Sequence, residues 1–88
     1  MDLTSEQVRA ARALLRWEQR HLAEASGVSL PTVKRLETQP GPLAAQERTI
    51  SAIAAALESA GVLILPENGE GRGVRLRKAQ ASRRKSSR

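Results

Sequence analysis

The chain has no cysteine, no phenylalanine and no tyrosine, a single tryptophan and a single histidine. Without cysteine there is no disulfide framework and no thiolate metal site, which suits a reducing cytoplasm. The lone histidine, His21, has no second histidine, no cysteine and no carboxylate pair at a recognisable spacing. No metal site, cofactor or general base is therefore expected, and the chain does not read as an enzyme. Glycine is concentrated in Asn68–Gly73, NGEGRG, which is followed by no helical pattern and by no Lys-Ser or Lys-Thr pair. It reads as a turn and not as a phosphate cradle. No apolar run approaches the roughly 20 residues that span a bilayer, so no membrane partner is expected. The opening residues, MDLTSEQVRAAR, carry an acid at Asp2 and no apolar stretch, so no signal peptide is expected.

What remains is a chain of 88 residues with a net charge of +6, one domain in length. A domain this small buries only about 60% of the surface that its unfolded chain exposes, so help from a partner subunit is expected. The charge is unevenly spread. From Arg72 onward there are eight basic residues and no acid, whereas residues 1–71 hold seven bases and nine acids, a net of −2. The attraction to polyanions implied by the total charge therefore belongs to the C-terminal segment, and says nothing of the first 71 residues.

Those residues read as helices. Thr4-Ser5-Glu6-Gln7 fits a capping box. Val8, Ala11 and Leu15, with Leu14 alongside, continue it as a helix over about 5–16, leaving Arg9, Arg12 and Arg16 off the stripe. Trp17 is expected to plug the core between helices. A second helix runs over about 19–26, with Leu22, Ala23 and Ala25 inward, His21 exposed, and Gly27 just past its end. Ser29 is a good N-cap for a third, with Val33 and Leu36 inward. Residues 38–43, TQPGPL, form a loop. A fourth helix is expected over 44–60, with a stripe of Ile50, Ile53, Ala54 and Leu57, closed by Gly61. The pattern then changes: VLIL at 62–65, a turn-rich PENGEGRG, and VRLR at 74–77 read as a β-hairpin. The division is thus 1–61 helical, 62–78 hairpin, and 79–88 a basic tail without core-forming residues, expected to be disordered.

Two short helices joined by a glycine-bearing turn, the second capped by serine, make a helix-turn-helix. Only Gly27 to Ser29 separate the helices, and the small Ala23 lets their axes approach. Periodicity alone fits a DNA binder and a plain helical bundle equally. The stretch LLRWEQRHLAEASGVSLPTVKRLE, residues 14–37, resembles the Xre/Cro-CI family of phage-repressor-like DNA-binding proteins. The matching residues are Gln19, Leu22, Ala23, Gly27, Val28, Ser29, Thr32, Val33, Leu36 and Glu37. The resemblance covers roughly residues 4–60, and ALESAGVLILPENG with GVRLRK extends it to the C-terminal end of small bacterial members.

The resemblance implies a four-helix lambda-repressor-like domain in a bacterial, cytoplasmic, nucleoid-associated regulator. It implies that the third helix, about 30–37, lies in the major groove of double-stranded DNA. Gln19 would contact a phosphate at the start of the second helix. With it the expected DNA-binding set is Arg20, Ser29, Leu30, Pro31, Thr32, Lys34, Arg35 and Thr38. Arg12 and Glu37 fall where the family often places a partly buried ion pair. Glu18 stands where the family often has a serine or threonine cap, and brings negative charge near the expected phosphate. Leu30 and Pro31 cannot hydrogen-bond through their side chains. They can touch thymine methyls, which moves hydrogen-bond readout to Lys34 and Arg35. Pro31 is tolerated in the first turn of a helix.

Such modules bind as two-fold dimers on half-sites about 34 Å apart. An isolated hairpin is marginal in water, and VLIL has apolar residues on both faces. The expected homodimer interface is therefore Leu57, Val62, Leu63, Ile64, Leu65, Val74 and Leu76. No small-molecule effector domain is visible. Three functions follow: a sequence-specific regulator on an inverted-repeat operator, an antitoxin, or a protein-binding module on the same fold. The tail AQASRRKSSR lacks the apolar anchors that an antitoxin needs for its partner, and reads either as extra phosphate contacts or as a solubilising end.

Overall fold

Residues 2–78 are described by the structure, a computed structural model. In chain order the elements are α1 (Ser5–Leu15), α2 (Gln19–Ser26), α3 (Leu30–Thr38), α4 (Glu47–Ser59), β1 (Val62–Leu65) and β2 (Gly73–Leu76). Four helices and a two-stranded antiparallel sheet make a compact, mainly helical domain, with a Cα radius of gyration of 13.4 Å. The basic tail, 79–88, lies outside the described residues.

Local chemistry explains the first three helices. Thr4 Oγ1 accepts from the Gln7 N–H at 3.1 Å, and Gln7 Oε1 accepts from the Thr4 N–H at 3.0 Å. That reciprocal cap satisfies two donors at the start of α1. Val8 and Ala11 are buried, Leu15 is half-buried, and Leu14 is left 39% exposed. Gly27, at φ 77°, ends α2 in the left-handed conformation that glycine adopts without strain. Ser29 caps α3 by accepting from the Thr32 N–H at 3.3 Å, and Pro31 occupies the first turn. Val33 and Leu36 face the core.

Three expectations about helices need correction. Trp17 is only half-buried, because the residues facing it are too small to close over an indole. It sits at the margin of the core beside an open groove lined by Ala25, Ser26, Ala52, Ala55 and Ala60. Ala25 is exposed on the rim of that groove rather than turned inward. Finally, α4 begins at Glu47, not at Ala44. The preceding residues are held extended against the start of the chain. Ser5 N–H donates to Gly41 O at 2.9 Å, Leu43 N–H donates to Leu3 O at 3.0 Å, and Thr4 pairs with Pro42. Leu43 is thereby buried with Leu3, and the helix starts only where the chain is released. The Glu6 carboxylate accepts from the Gly41 N–H at 3.1 and 3.3 Å. Bonds from its own N–H and that of Gly41 hold its pKa below the ordinary value.

Gly61, at φ 112°, turns the chain from α4 into the hairpin. The register pairs Val62 with Leu76, Leu63 with Arg75, Ile64 with Val74 and Leu65 with Gly73. Strand β2 stops one residue short of the expected end, and the Arg77 N–H instead donates to Gly61 O at 2.7 Å. The hairpin packs on α1 and α4 of its own chain. Leu57 and Val62 are completely buried there and have no surface to give a partner, which removes both from the expected dimer interface. Ile64 and Val74 pack half-buried against the same core. By the alternation of strand side chains, Leu63 and Leu65 lie on the opposite face, and Leu76 is 51% exposed past the edge of the core.

One side chain ties sheet to helix. Gln7, already the partner of Thr4, donates its Nε2 to Leu65 O at 3.0 Å and to Gly73 O at 3.1 Å. It is 3% exposed, so these bonds have no water to replace them. Gln7→Ala is expected to lower stability by about 2–3 kcal/mol, the loss of donors to two carbonyls and of a cap. A urea titration checks this, and an unchanged midpoint would show that the hairpin is held by packing alone.

Candidate functional site

Arg12 and Gln19, two of the residues expected from the sequence, meet at a buried carboxylate. Glu37 is 4% exposed. Its Oε2 accepts from Arg12 Nε at 2.8 Å, and its Oε1 accepts from Arg12 Nη2 at 2.7 Å and from Gln19 Nε2 at 3.1 Å. Arg12 uses its remaining nitrogen, Nη1, on Trp17 O at 3.0 Å. Arg9 donates to Glu37 O at 3.2 Å, a cation at the last turn of α3 where the helix dipole favours one. Helix α1, the turn after it, the start of α2 and the end of α3 are all fixed to this one group. Two parallel N–H···O bonds from a guanidinium also fix orientation, since the planar fork matches the carboxylate.

That anchoring determines what α3 shows to solvent. Val33, Leu36 and Glu37 face inward. Pro31, Lys34, Arg35 and Thr38 are exposed along the other side, and Leu30 is half-exposed at its beginning. The side chains of Lys34 and Arg35 form no hydrogen bond or ion pair with any described residue. Leu30 and Lys34 line a shallow depression of 220 Å³ together with Glu18, Gln19 and Arg20 of the α2 start. The fold thus brings Gln19, Arg20, Leu30 and Lys34 together, while Arg35 and Thr38 continue the surface along α3.

The other expected site residues are less free than their residue types suggest. Gln19 turns its amide onto Glu37, so that donor serves the chain itself. Arg20 Nε donates to Glu18 Oε1 at 3.0 Å, with both side chains mostly in water. A pair this exposed contributes little and separates readily. Ser29 Oγ donates to Thr32 Oγ1 at 2.9 Å, and Thr38 Oγ1 donates to Arg35 O at 2.7 Å. The hydroxyls of this face are therefore tied to neighbours, and the unengaged polar groups along α3 are the two cations.

His21 is half-buried rather than exposed. Its Nδ1 accepts from the Glu18 N–H at 2.8 Å, a capping role at the start of α2 that the sequence did not suggest. The bonds of Arg9 and Gln7 were also missed, because each reaches an element far away in the chain. Among the described residues, no group of three His, Cys, Asp or Glu side chains is placed to hold a metal ion. Nor is any helix among them long and apolar enough to cross a membrane. No protein-family model matches the chain, and no curated protein matches it.

Proposed function

We propose that the chain is a sequence-specific DNA-binding transcriptional regulator of the Xre/Cro-CI kind. In this reading α2, the turn Gly27–Ser29 and α3 form a helix-turn-helix, and α3 enters the major groove. The observation that carries it is the pairing of a buried anchor with an unpaired charged face on one nine-residue helix. Arg12 and Gln19 hold Glu37 from behind, and Lys34 and Arg35 stand unpaired in front. A rigidly held helix presenting two free cations and two apolar residues is suited to reading base edges.

The roles follow from chemistry. Leu30 and Pro31 lie against thymine methyls, and Lys34 and Arg35 reach guanine O6 and N7. Thr38 and Arg20 stand nearer the phosphates. Binding is as a homodimer on an inverted repeat, with Leu63, Leu65 and Leu76 at the two-fold interface. The half-buried outer face of β1 and the exposed Leu76 support this assignment. Sedimentation is expected to give a dimer for the wild type and a monomer for Leu63→Glu. A wild-type monomer at micromolar concentration would end the dimer reading. A second reading, a protein-binding module on the same fold, is favoured by the apolar pair that opens α3.

The test is selection of bound duplexes from a random pool with the full chain, at two salt concentrations. The expected result is an inverted repeat with half-site centres about 34 Å apart, with thymines and guanines in each half. Binding without enrichment, lost steeply as salt rises, would instead assign the affinity to the basic C-terminal segment and favour the protein-binding module.

A further inference from the structure

Arg16 is the one non-glycine residue with positive φ among the described residues, at φ 58° and ψ 40°. It sits immediately after α1, where the chain must turn into α2. A left-handed residue at that place is usually glycine, sometimes asparagine, because a Cβ crowds the following carbonyl. The fold needs the conformation but not the side chain. The Arg16 N–H closes α1 by donating to Ala13 O at 3.1 Å, a bond any residue can make. The guanidinium is exposed and has no hydrogen bond or ion pair with any described residue. Arg9, Arg12, Arg20 and Arg72 have partners within the chain, whereas the Arg16 side chain shares its unpaired state with that of Arg35 on the exposed α3 face. In Arg16 a left-handed backbone carries a side chain that is exposed and makes no hydrogen bond or ion pair with any described residue.

Strain of this kind collects at functional sites, and the surroundings say which. The next residue, Trp17, gives its carbonyl to Arg12. Three residues on, Gln19 touches Glu37. Arg16 thus stands on the turn held by the same buried cluster that positions α3, at the entrance to α2. We infer that Arg16 is a phosphate-contacting residue of the DNA-binding face, an inference that rests on the DNA-binding reading above. Its place off α3 suits a contact to the sugar-phosphate backbone, which orients the protein on the duplex without reading sequence.

The experiment compares full-length wild type with Arg16→Gly and Arg16→Lys, on the duplex that the wild type selects. Arg16→Gly is expected to melt no lower than wild type, and a few degrees higher if strain relief outweighs the extra freedom of glycine in the unfolded chain. It should bind on the order of 5-fold more weakly at low salt, with a log–log salt slope smaller by about 1 and the same preferred sequence. Arg16→Lys should keep the affinity and the slope. Wild-type affinity and slope in Arg16→Gly would overturn the inference. So would a melting temperature that falls, with binding lost only in proportion to unfolded protein, since Arg16 would then serve the fold. A wild type that selects no duplex removes the DNA-binding reading and this inference with it; a wild type that binds beside an unaltered Arg16→Gly removes this inference alone.

Discussion

Glu37→Ala is expected to destabilise the domain by about 3–5 kcal/mol, the usual effect of removing one member of a buried ion pair. The carboxylate is 4% exposed and collects three side-chain hydrogen bonds. Its loss leaves the Arg12 guanidinium, only 19% exposed, facing a cavity with two of its donors unmet. Gln19 loses its partner at the same time. Native domains hold roughly 5–15 kcal/mol in all, so this one change removes a large share of the total. In a domain of this size the melting temperature should fall by roughly 15–30 °C. Thermal and urea melts of Glu37→Ala and of the double variant Arg12→Met/Glu37→Leu check the argument. The double variant should recover much of the loss, because an apolar pair of similar volume leaves no charge stranded. A Glu37→Ala melt within a few degrees of wild type would mean that solvent reaches the cluster and that its bonds are worth no more than surface ones.

The second large effect separates the two functional readings. Lys34→Glu/Arg35→Glu is expected to weaken duplex binding by roughly 100-fold or more, since two base-edge contacts are lost and two repulsive charges are set against the groove. Stability should stay close to wild type, because both side chains are exposed and unpaired. Anisotropy titrations on the selected duplex, beside circular-dichroism melts, measure both. A folded variant that keeps its affinity would take base reading away from α3. The binding would then belong to the basic residues from Arg72 onward, and α3 would be left as a surface for another protein.

What the sequence disclosed follows from the range of the forces involved. The caps at Thr4, Ser29 and Gly27 act over three or four residues, and periodicity shows which side chains face inward. The first three helices were therefore legible almost to the residue. The start of α4 was not, because Leu43 is held by Leu3 and no neighbour of Leu43 signals that. Val62 looked available for a partner because a four-residue apolar strand does not reveal which face its own chain covers, and Leu57, at the end of α4, is covered by that same strand packing back on its helix. In the candidate site, Lys34 and Arg35 could be picked out as the cations of α3. That Gln19 turns inward while Arg16 is left unpaired could not, since both depend on how α1, α2 and α3 meet around Glu37.

The bonds of Gln7 reach 58 and 66 positions along the chain, and this separation sets an order on how the molecule is completed. During synthesis α1 can cap itself as soon as Thr4 and Gln7 are made. The far end of the Gln7 amide must wait in water until Gly73 has left the ribosome. By then all four helices of the described residues have been made, and only then can the hairpin complete its bonds to the Gln7 amide. The later strand of the hairpin is thus joined to the capped first turn of α1.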